Sequence, residues 1–207
     1  MATPRDIRIQ LNRADVEELK TLMLALTPDN RIKALVRAMN KTARGVRTDI
    51  SREVRQRVNI KAADVKTGIK LWLANKNRPG VRITVSGRRR PLIMFGARQT
   101  KTGVSVQVYK AEGRKIIPRA FIATGKGSGQ QNVFWRAKAG GDKLVGRYPI
   151  HKKYGLALPE AFEWTSRETV EAQARERLKK NLTHEIDYLL QESKKAAADA
   201  NLESNGA

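Results

Sequence analysis

The sequence contains no cysteine, few aromatic residues (5%) and no long apolar run. Without cysteine the chain forms no disulfides, thiolate metal sites or cysteine nucleophile. A membrane-spanning helix needs about 18 or more uncharged apolar residues, and no stretch reaches that length. The beginning of the sequence also lacks an apolar signal segment. We therefore expect a soluble chain that does not follow the usual secretory route and contacts no membrane core.

Acidic residues are scarce in the middle of the chain. Residues 31–158 hold 31 Lys and Arg against 5 Asp and Glu, a net charge of +26, whereas residues 1–30 and 159–207 carry −1 and −3. No acidic residue occurs from Val65 to Ala111. The whole chain has a formal charge of +22. Such a charge favours nucleic acid, an anionic membrane surface or an acidic protein as partner.

Residues that commonly carry catalysis are few and scattered. His151 and His184 are the only histidines, and they stand in no metal-binding or triad spacing, so we interpret both as structural or surface residues. The acidic residues of the basic middle are isolated from one another: Asp49, Glu53, Asp64, Glu112 and Asp142. A nuclease or phosphotransferase needs a carboxylate cluster for magnesium or for acid–base work. The sequence therefore predicts no enzyme, no metal site and no cofactor.

The stretch from Val81 to Lys110 combines a strand pattern with one-sided charge. Apolar and polar residues alternate over 81–86 and over 104–109, which predicts two half-buried strands. Between them, a buried apolar segment at 92–95 is flanked by two basic, glycine-bounded turns. The cations that these turns are expected to carry outward are Arg88, Arg89, Arg90, Arg98 and Lys101. They are the main candidates for contact with DNA or an acidic partner.

The clearest helical periodicity begins at Thr27-Pro28-Asp29 and runs to about Val58. Thr27 suits the N-cap, and Pro28 suits the first helical position. Apolar residues then recur at steps of three and four, at Ile32, Leu35, Val36, Met39, Ala43, Val46, Ile50 and Val54. The other faces are basic and include three further candidate contacts, Arg37, Lys41 and Arg44. The alternative is an ordinary solvated helix face.

Further elements flank this centre. The pattern predicts a short first strand at 7–11, a helix from Asn12 to about Thr27, a basic connection at 113–118 and strands at 121–124 and 133–135. A capping box at Thr165 and Glu168 opens a last helix that ends near Lys195. Its apolar stripe is Val170, Ala174, Leu178, Leu182, Ile186 and Leu189.

The glycine-rich segment 125–131 has some likeness to a phosphate-binding loop. However, its lysine, Lys126, precedes glycine, and the segment joins two predicted strands, whereas a P-loop opens a helix. We interpret it as a mobile turn whose Lys126 is a candidate phosphate contact. Aromatic residues do not interleave with the basic ones, so base stacking is not indicated. Non-specific electrostatic contact is the better expectation.

The sequence predicts one α+β domain over residues 1–195 and a flexible tail at 196–207. The domain should contain a small mixed or antiparallel sheet, packed by a long helix from the N-terminal half and by a C-terminal helix. One core suffices, because 207 residues with 40% hydrophobic content do not require two domains.

Several segments of the chain carry a shared family pattern: residues 38–48, 59–65, 85–87, 91–93, 95–101, 103–106, 118, 120–123 and 179–186. Together these segments resemble the prophage minor tail protein Z family of tailed phages. The resemblance covers most of the chain between Arg31 and Leu190. Its most specific part is Phe95-Gly96-Ala97-Arg98-Gln99.

This resemblance implies a non-enzymatic virion protein, assembled in the host cytoplasm, that completes the tail at its head-proximal end, the neck. Tail tube, tail terminator and head connector would be its neighbours. It implies a subunit similar to other neck and tail-completion proteins, repeated as a homo-oligomeric ring, expected to be a hexamer. The positive charge would then contact double-stranded DNA in the channel or acidic neighbours. Charge alone supports an alternative, a stand-alone nucleic-acid-binding protein without sequence preference.

Overall fold

The computed structural model describes residues 5–7, 13–125, 129–136, 150–163 and 167–205. Helices make up 52% and small antiparallel sheets 23% of the structure. The α+β class predicted from the sequence is therefore confirmed. None of the helices in the described ranges combines the length and the apolarity that crossing a membrane requires.

Helices lie toward both ends of the chain, and most strands lie between them. The helices are α1 (Arg13–Leu24), α2 (Pro28–Arg57), α3 (Ala62–Lys66), α4 (Leu158–Glu163) and α5 (Arg167–Asn205), with a 3-10 helix at Leu92–Phe95. The strands are β1 (Arg5–Ile7), β2 (Ile69–Trp72), β3 (Arg82–Val85), β4 (Arg98–Gln99), β5 (Gly103–Val106), β6 (Lys115–Pro118), β7 (Ala120–Thr124), β8 (Gln131–Arg136) and β9 (Ile150–Lys152). They form three three-stranded sheets, ordered β1-β3-β2, β4-β5-β6 and β7-β8-β9.

The chain divides into two compact units. The sheet unit comprises Met1–Arg5, Ile50–Lys70 and Val85–Ser166, and the helical unit comprises Asp6–Asp49, Leu71–Thr84 and Arg167–Ala207. Helix α2 contributes residues 28–49 to the helical unit and residues 50–57 to the sheet unit. One domain over residues 1–195 with a flexible tail at 196–207 stays a prediction.

Helix α2 starts as its sequence predicts. The Thr27 hydroxyl accepts a hydrogen bond from the Asn30 backbone N–H at 3.4 Å, and Pro28 is the first helical residue. Proline is favourable there because the first N–H of a helix has no partner within the helix. Helix α1 likewise forms, beginning at Arg13. Its predicted cap, Asn12, and residues 8–11 of the predicted first strand lie outside the described residues.

The apolar core of the helical unit joins α1, α2 and α5. Its buried members are Leu19, Leu26, Ala34, Ala38, Leu182, Ile186 and Leu189. The first half of α2 differs from the prediction, because Ala34 and Ala38 are 0% exposed whereas Ile32 is 36% exposed. Small side chains let neighbouring helices approach closely, so the buried stripe follows the alanines here. Further along α2, the predicted burial of Ala43 and Val46 is confirmed.

The apolar stripe predicted for the last helix is confirmed. Val170, Ala174, Leu182, Ile186 and Leu189 are buried, and Leu178 is partly buried. The predicted end near Lys195 is wrong, because α5 continues to Asn205. The three alanines at 196–198 favour helix strongly, which explains the extension. The predicted capping residue Thr165 lies outside the described residues.

Polar contacts hold α5 against α2. Asp49 is only 3% exposed, and its Oδ2 lies 2.6 Å from Nη1 of Arg177. One helical turn further along α5, the Asn181 side-chain amide donates to the Thr42 hydroxyl at 2.9 Å. A buried carboxylate needs such a partner, because its desolvation is otherwise uncompensated. Arg177 is therefore a structural residue of the helical unit.

Replacing Arg177 by alanine should lower the free energy of unfolding by about 2 kcal/mol, because Asp49 stays buried and loses its guanidinium partner. Arg175 provides a matched control: it is exposed on the same helix and forms no ion pair with a described residue. Arg175→Ala should change the free energy by less than about 0.5 kcal/mol. Urea denaturation of both variants measures the difference, and equal losses would contradict the structural role.

Lys179 of α5 forms ion pairs with two carboxylates of α1. Its Nζ lies 2.7 Å from Asp15 Oδ1 and 2.9 Å from Glu18 Oε2. The hydrogen bonds to these two carboxylates raise the pKa of Lys179 from 10.5 to about 12. A raised lysine pKa favours the folded state at any pH below 10.5, and this contribution is lost only as the pH rises through about 12. The contact therefore persists across the physiological range.

The two strands predicted to be half-buried are buried more fully. All four residues of β5 are buried, including Ser105, whose hydroxyl accepts a hydrogen bond from Arg114 Nε at 2.9 Å. In β3, Thr84 is buried and donates to Asp6 Oδ1 at 2.5 Å. Arg82 of β3 is exposed as predicted, but the half-buried prediction is wrong for Ser105 and Thr84. They face polar partners from other segments, as buried hydroxyls require.

Strand β6 is an addition to the predicted elements. The sequence indicates a basic connection over 113–118, but Lys115–Pro118 pairs antiparallel with β5 from Gly103↔Pro118 to Val106↔Lys115. Only Ile116 and Ile117 are apolar there, which is too short a run to show a period. The strand forms because the edge of β5 is available for backbone pairing with it.

Candidate polyanion-binding turns

The basic turn, residues 86–91, is fixed at its base and open at its tip. The backbone N–H groups of Ser86 and Arg90 donate to carbonyls of neighbouring segments at 2.9 and 3.0 Å. Arg88 and Arg89, between these anchors, are exposed and form no ion pair with a described residue. The fold therefore fixes the backbone of the turn and leaves two arginine charges in solvent.

Arg90 points inward, contrary to the prediction that all three arginines face outward. It is partly buried, its Nη2 donates to the Thr67 hydroxyl at 3.2 Å, and its Nε is buried without a hydrogen-bond partner. The Thr67 hydroxyl holds the Arg90 side chain inward, whereas Arg88 and Arg89 have no such partner among the described residues. Polyanion contact by the basic turn therefore depends on Arg88 and Arg89.

Replacing Arg90 by alanine should lower the free energy of unfolding by about 1 kcal/mol, because the Thr67 hydrogen bond and the packing of the side-chain stem are lost. Arg88→Ala, two residues away on the same turn, should change it by less than about 0.5 kcal/mol. Thermal unfolding of the two single variants compares them directly. If Arg88→Ala is as destabilising as Arg90→Ala, the inward contact has no structural importance.

A second pair of cations lies on the β4–β5 hairpin. The hairpin is closed by Thr100, whose backbone N–H and hydroxyl donate to the Gly103 carbonyl at 2.7 and 2.8 Å. Arg98, opposite Ser105 in the ladder, and Lys101, in the turn, are both exposed. Neither forms an ion pair with any residue of the described ranges. This agrees with the absence of acidic residues from 65 to 111 in the sequence.

The candidates on α2 belong to the helical unit. Arg37, Lys41 and Arg44 are exposed at steps of four and three, so they share one helix face. Arg37 Nη1 lies 3.9 Å from Glu185 Oε2, a partly exposed pair that contributes little stability. Lys41 and Arg44 pair with no described acidic residue. Contact with a partner and simple solvation both remain interpretations of this face.

Lys126 lies outside the described residues. The strands on either side of its segment confirm the two predicted ones, because β7 and β8 pair antiparallel up to Thr124↔Gln131. Next to this pair, the Gly125 N–H donates to the Gln130 carbonyl at 3.2 Å. The glycine-rich segment therefore joins two paired strands. A P-loop joins a strand to a helix, so the pairing of β7 with β8 argues against a phosphate-binding loop here.

Basic and aromatic side chains meet on the β7-β8-β9 sheet, although they do not interleave in sequence. Lys153 Nζ lies 4.1 Å from the centre of the Trp135 ring, and Arg136 Cζ lies 5.8 Å from that of Phe121. His151, opposite Trp135 in the ladder, is exposed with its ring centre 6.3 Å from the indole. Sequence reasoning missed these cation–π contacts because they depend on strand register. The Trp135 and Phe121 rings are therefore already in contact with cations of the protein itself.

An open cleft of about 330 Å³ lies in the sheet unit. Its lining includes Arg89, Lys115, Glu112, Glu160 and Tyr109, with an apolar floor of Val106, Val108 and Leu156. Lys115 Nζ lies 2.5 Å from Glu112 Oε2, and this hydrogen bond raises the pKa of Lys115. Burial raises the pKa of Tyr109, and the charges of Glu112 and Glu160 raise it further. The cleft unites segments that are distant in sequence, so no local pattern predicts it.

The acidic and histidine residues considered as catalytic candidates are dispersed in the structure. Asp49 is buried against Arg177, Glu112 pairs with Lys115, and Asp142 lies outside the described residues. Within the described part of the chain, no group of three or more His, Asp or Glu side chains is placed to hold a metal ion.

Comparison with known proteins gives one match. The family model for prophage minor tail protein Z matches residues 15–195. No curated protein and no solved structure matches the chain significantly. The matched range exceeds the segments that carry the resemblance in sequence, because it includes most of α1 and reaches Lys195 in α5.

Proposed function

Because the chain belongs to the prophage minor tail protein Z family, we propose that it completes the tail at its head-proximal end and joins the tail to the head connector. Membership makes it a phage minor tail protein with a structural role in the virion tail. The family match over residues 15–195 is the observation that carries this function. We propose a purely structural role in the particle and assign the protein no catalytic step.

The proposed neighbours are copies of the same chain and the proteins of the neck. A homo-oligomeric ring, a hexamer around the tail axis, would contact the tail tube, the tail terminator and the head connector. Closed rings of identical subunits present the same surface to the axis in every copy. Any exposed cation that faces the axis would therefore be repeated around the channel.

Double-stranded DNA in the channel is the polyanion that we propose for the basic turn and the β4–β5 hairpin. The support is the exposure of Arg88, Arg89, Arg98 and Lys101 without ion pairs to described residues. Contacts between such cations and phosphates are independent of base sequence. A channel protein needs this property, because it meets whatever genome end enters the tail. An acidic neighbouring protein is the other ligand that these charges suit.

Imaging of intact particles tests the location. A cryo-EM reconstruction should show density for the sheet unit and the helical unit at the head-proximal end of the tail, repeated six-fold. In particles assembled without this chain, that density should be missing while the tail tube remains. Density at another level of the tail would contradict the neck placement. Absence of the chain from purified particles would favour the alternative, a stand-alone nucleic-acid-binding protein.

A further inference from the structure

The outer edge of β6 is unpaired in the described structure. β6 is the last strand of the β4-β5-β6 sheet, and no described strand other than β5 is hydrogen-bonded to it. Its residue Ile116 is 56% exposed, although isoleucine is usually buried. An open edge with an exposed apolar side chain is a ready template for another strand.

The hydrogen-bonding groups of Ile116 point toward this open edge. Bonded and non-bonded pairs alternate along an antiparallel ladder. The Arg119 N–H donates to the Thr102 carbonyl at 3.3 Å, so the next pair, Gly103↔Pro118, is a non-bonded one. Proline, which has no N–H, fits that position. Continuing the alternation, Ile117 and Lys115 bond to β5, and the N–H and C=O of Ile116 face outward.

The usual protection of an edge strand is only partial here. Lysines and prolines commonly prevent edge pairing. Lys115, however, pairs with Glu112 at 2.5 Å, and this exposed ion pair offsets part of its charge. Pro118 has no N–H to offer at this edge. The carbonyl of Pro118 and the backbone N–H and C=O of Ile116 still face outward. The central position of the edge therefore remains available for pairing.

We propose that β6 accepts an extended segment of an acidic neighbouring protein as a fourth strand of this sheet. The backbone of that segment would exchange hydrogen bonds with Ile116 and place an apolar side chain against it. In strand addition, backbone bonds give affinity and adjacent pockets give specificity. Lys115, the first residue of β6, lines the 330 Å³ cleft, and the apolar lining residues of this cleft suit a second side chain of the same segment.

Charge selects the partner. Arg119 directly follows β6 and Lys110 precedes it by five residues, whereas Lys101 is next to Thr102, whose carbonyl accepts the Arg119 N–H. All three cations are exposed. None of them forms an ion pair with a described residue. A second copy of this chain would bring another strand of the same basic middle, with its net charge of +26, against these cations. Carboxylates that flank an apolar residue match the edge, so the occupant is an acidic segment of a different protein.

Ile116→Pro tests the backbone contact. Proline removes the outward N–H of residue 116, while the bonds to β5 come from residues 115 and 117 and remain. The variant is supplied in a host in which the gene for this chain is disrupted, and its incorporation into particles is measured by quantitative mass spectrometry. Incorporation should fall about tenfold. The control Ile116→Val keeps the N–H and most of the side chain, and should stay within about twofold of the original. Equal incorporation of both variants would overturn the proposal.

A cross-link identifies the occupant and does not depend on how well the proline variant folds. A photo-reactive amino acid replaces Ile116 in the full chain, assembled particles are irradiated, and the product is mapped by mass spectrometry. The expected product joins residue 116 to an Asp- or Glu-rich segment of a different virion protein. A product with a second copy, a product with DNA, or no product overturns the proposal. None of these results bears on the neck placement, which imaging decides separately.

Discussion

Replacing Gly103 by alanine is expected to lower the free energy of unfolding by about 3 kcal/mol or more. A Cβ at this position would overlap the Ile117 carbonyl oxygen and lie 3.0 Å from Pro118 Cα. Both are backbone atoms of β6, so only a separation of β5 from β6 relieves the overlap. Gly103 also accepts the Thr100 hydrogen bonds that close the β4–β5 hairpin, so the substitution disturbs three strands together.

Gly80→Ala is the matched control for this substitution. A Cβ at Gly80 meets no atom within 4 Å. The expected change is less than about 1 kcal/mol and can be stabilising, because alanine restricts the unfolded chain more than glycine does. Urea denaturation of the original chain and both variants gives the comparison. A Gly103→Ala protein as stable as Gly80→Ala would show that β5 and β6 are not as closely apposed as the structure has them.

Neutralising the four exposed cations of the basic turn and the β4–β5 hairpin should have the largest effect on DNA binding. In the variant, Arg88, Arg89, Arg98 and Lys101 become glutamine. Each phosphate contact contributes about 0.9 to the slope of log affinity against log salt on duplex DNA. We therefore expect the slope to shrink by about 3 to 4 and the affinity at low salt to fall on the order of 100-fold. Fluorescence anisotropy over a salt series measures both quantities.

The control must carry the same net charge. Arg175, Lys180, Lys194 and Lys195 are exposed on α5 and form no ion pair with described residues. Changing these four to glutamine also lowers the formal charge by four, but should alter the salt slope by less than about 1. If the two variants lose affinity equally, DNA responds to net charge alone. The turns would then be free to serve an acidic protein neighbour.

Local signals predicted the helices well. Thr27 and Pro28 define the start of α2, and the stripe from Val170 to Leu189 defines the buried face of α5. Caps and helical periodicity depend on residues within a few positions of one another, so a sequence displays them directly. The prediction was wrong at Ile32 because it assumed that the larger apolar residue is the buried one. Burial is greatest where the helices approach most closely, and the small residue Ala34 fits that position better.

Strand environments were less predictable. Alternation at 104–109 indicated a half-buried strand, yet Ser105 is buried because Arg114 bonds to it. Strand β6 exists through its pairing with β5 and has no periodicity of its own. Likewise, Arg88, Arg89 and Arg90 are equivalent in sequence, and only the contact with Thr67 distinguishes Arg90. Each of these outcomes depends on a partner that the local sequence does not contain.

The sequence by itself determined the family, the α+β class, the two long helices and the excess of positive charge in the middle of the chain, because these follow from composition and from neighbouring residues. Only the tertiary structure decided which charges are neutralised, which strand edge stays open and which residues form the cleft. The physical reason is separation along the chain. Asp49 and Arg177 are 128 positions apart, and an ion pair between them exists only once the helices that carry them have packed.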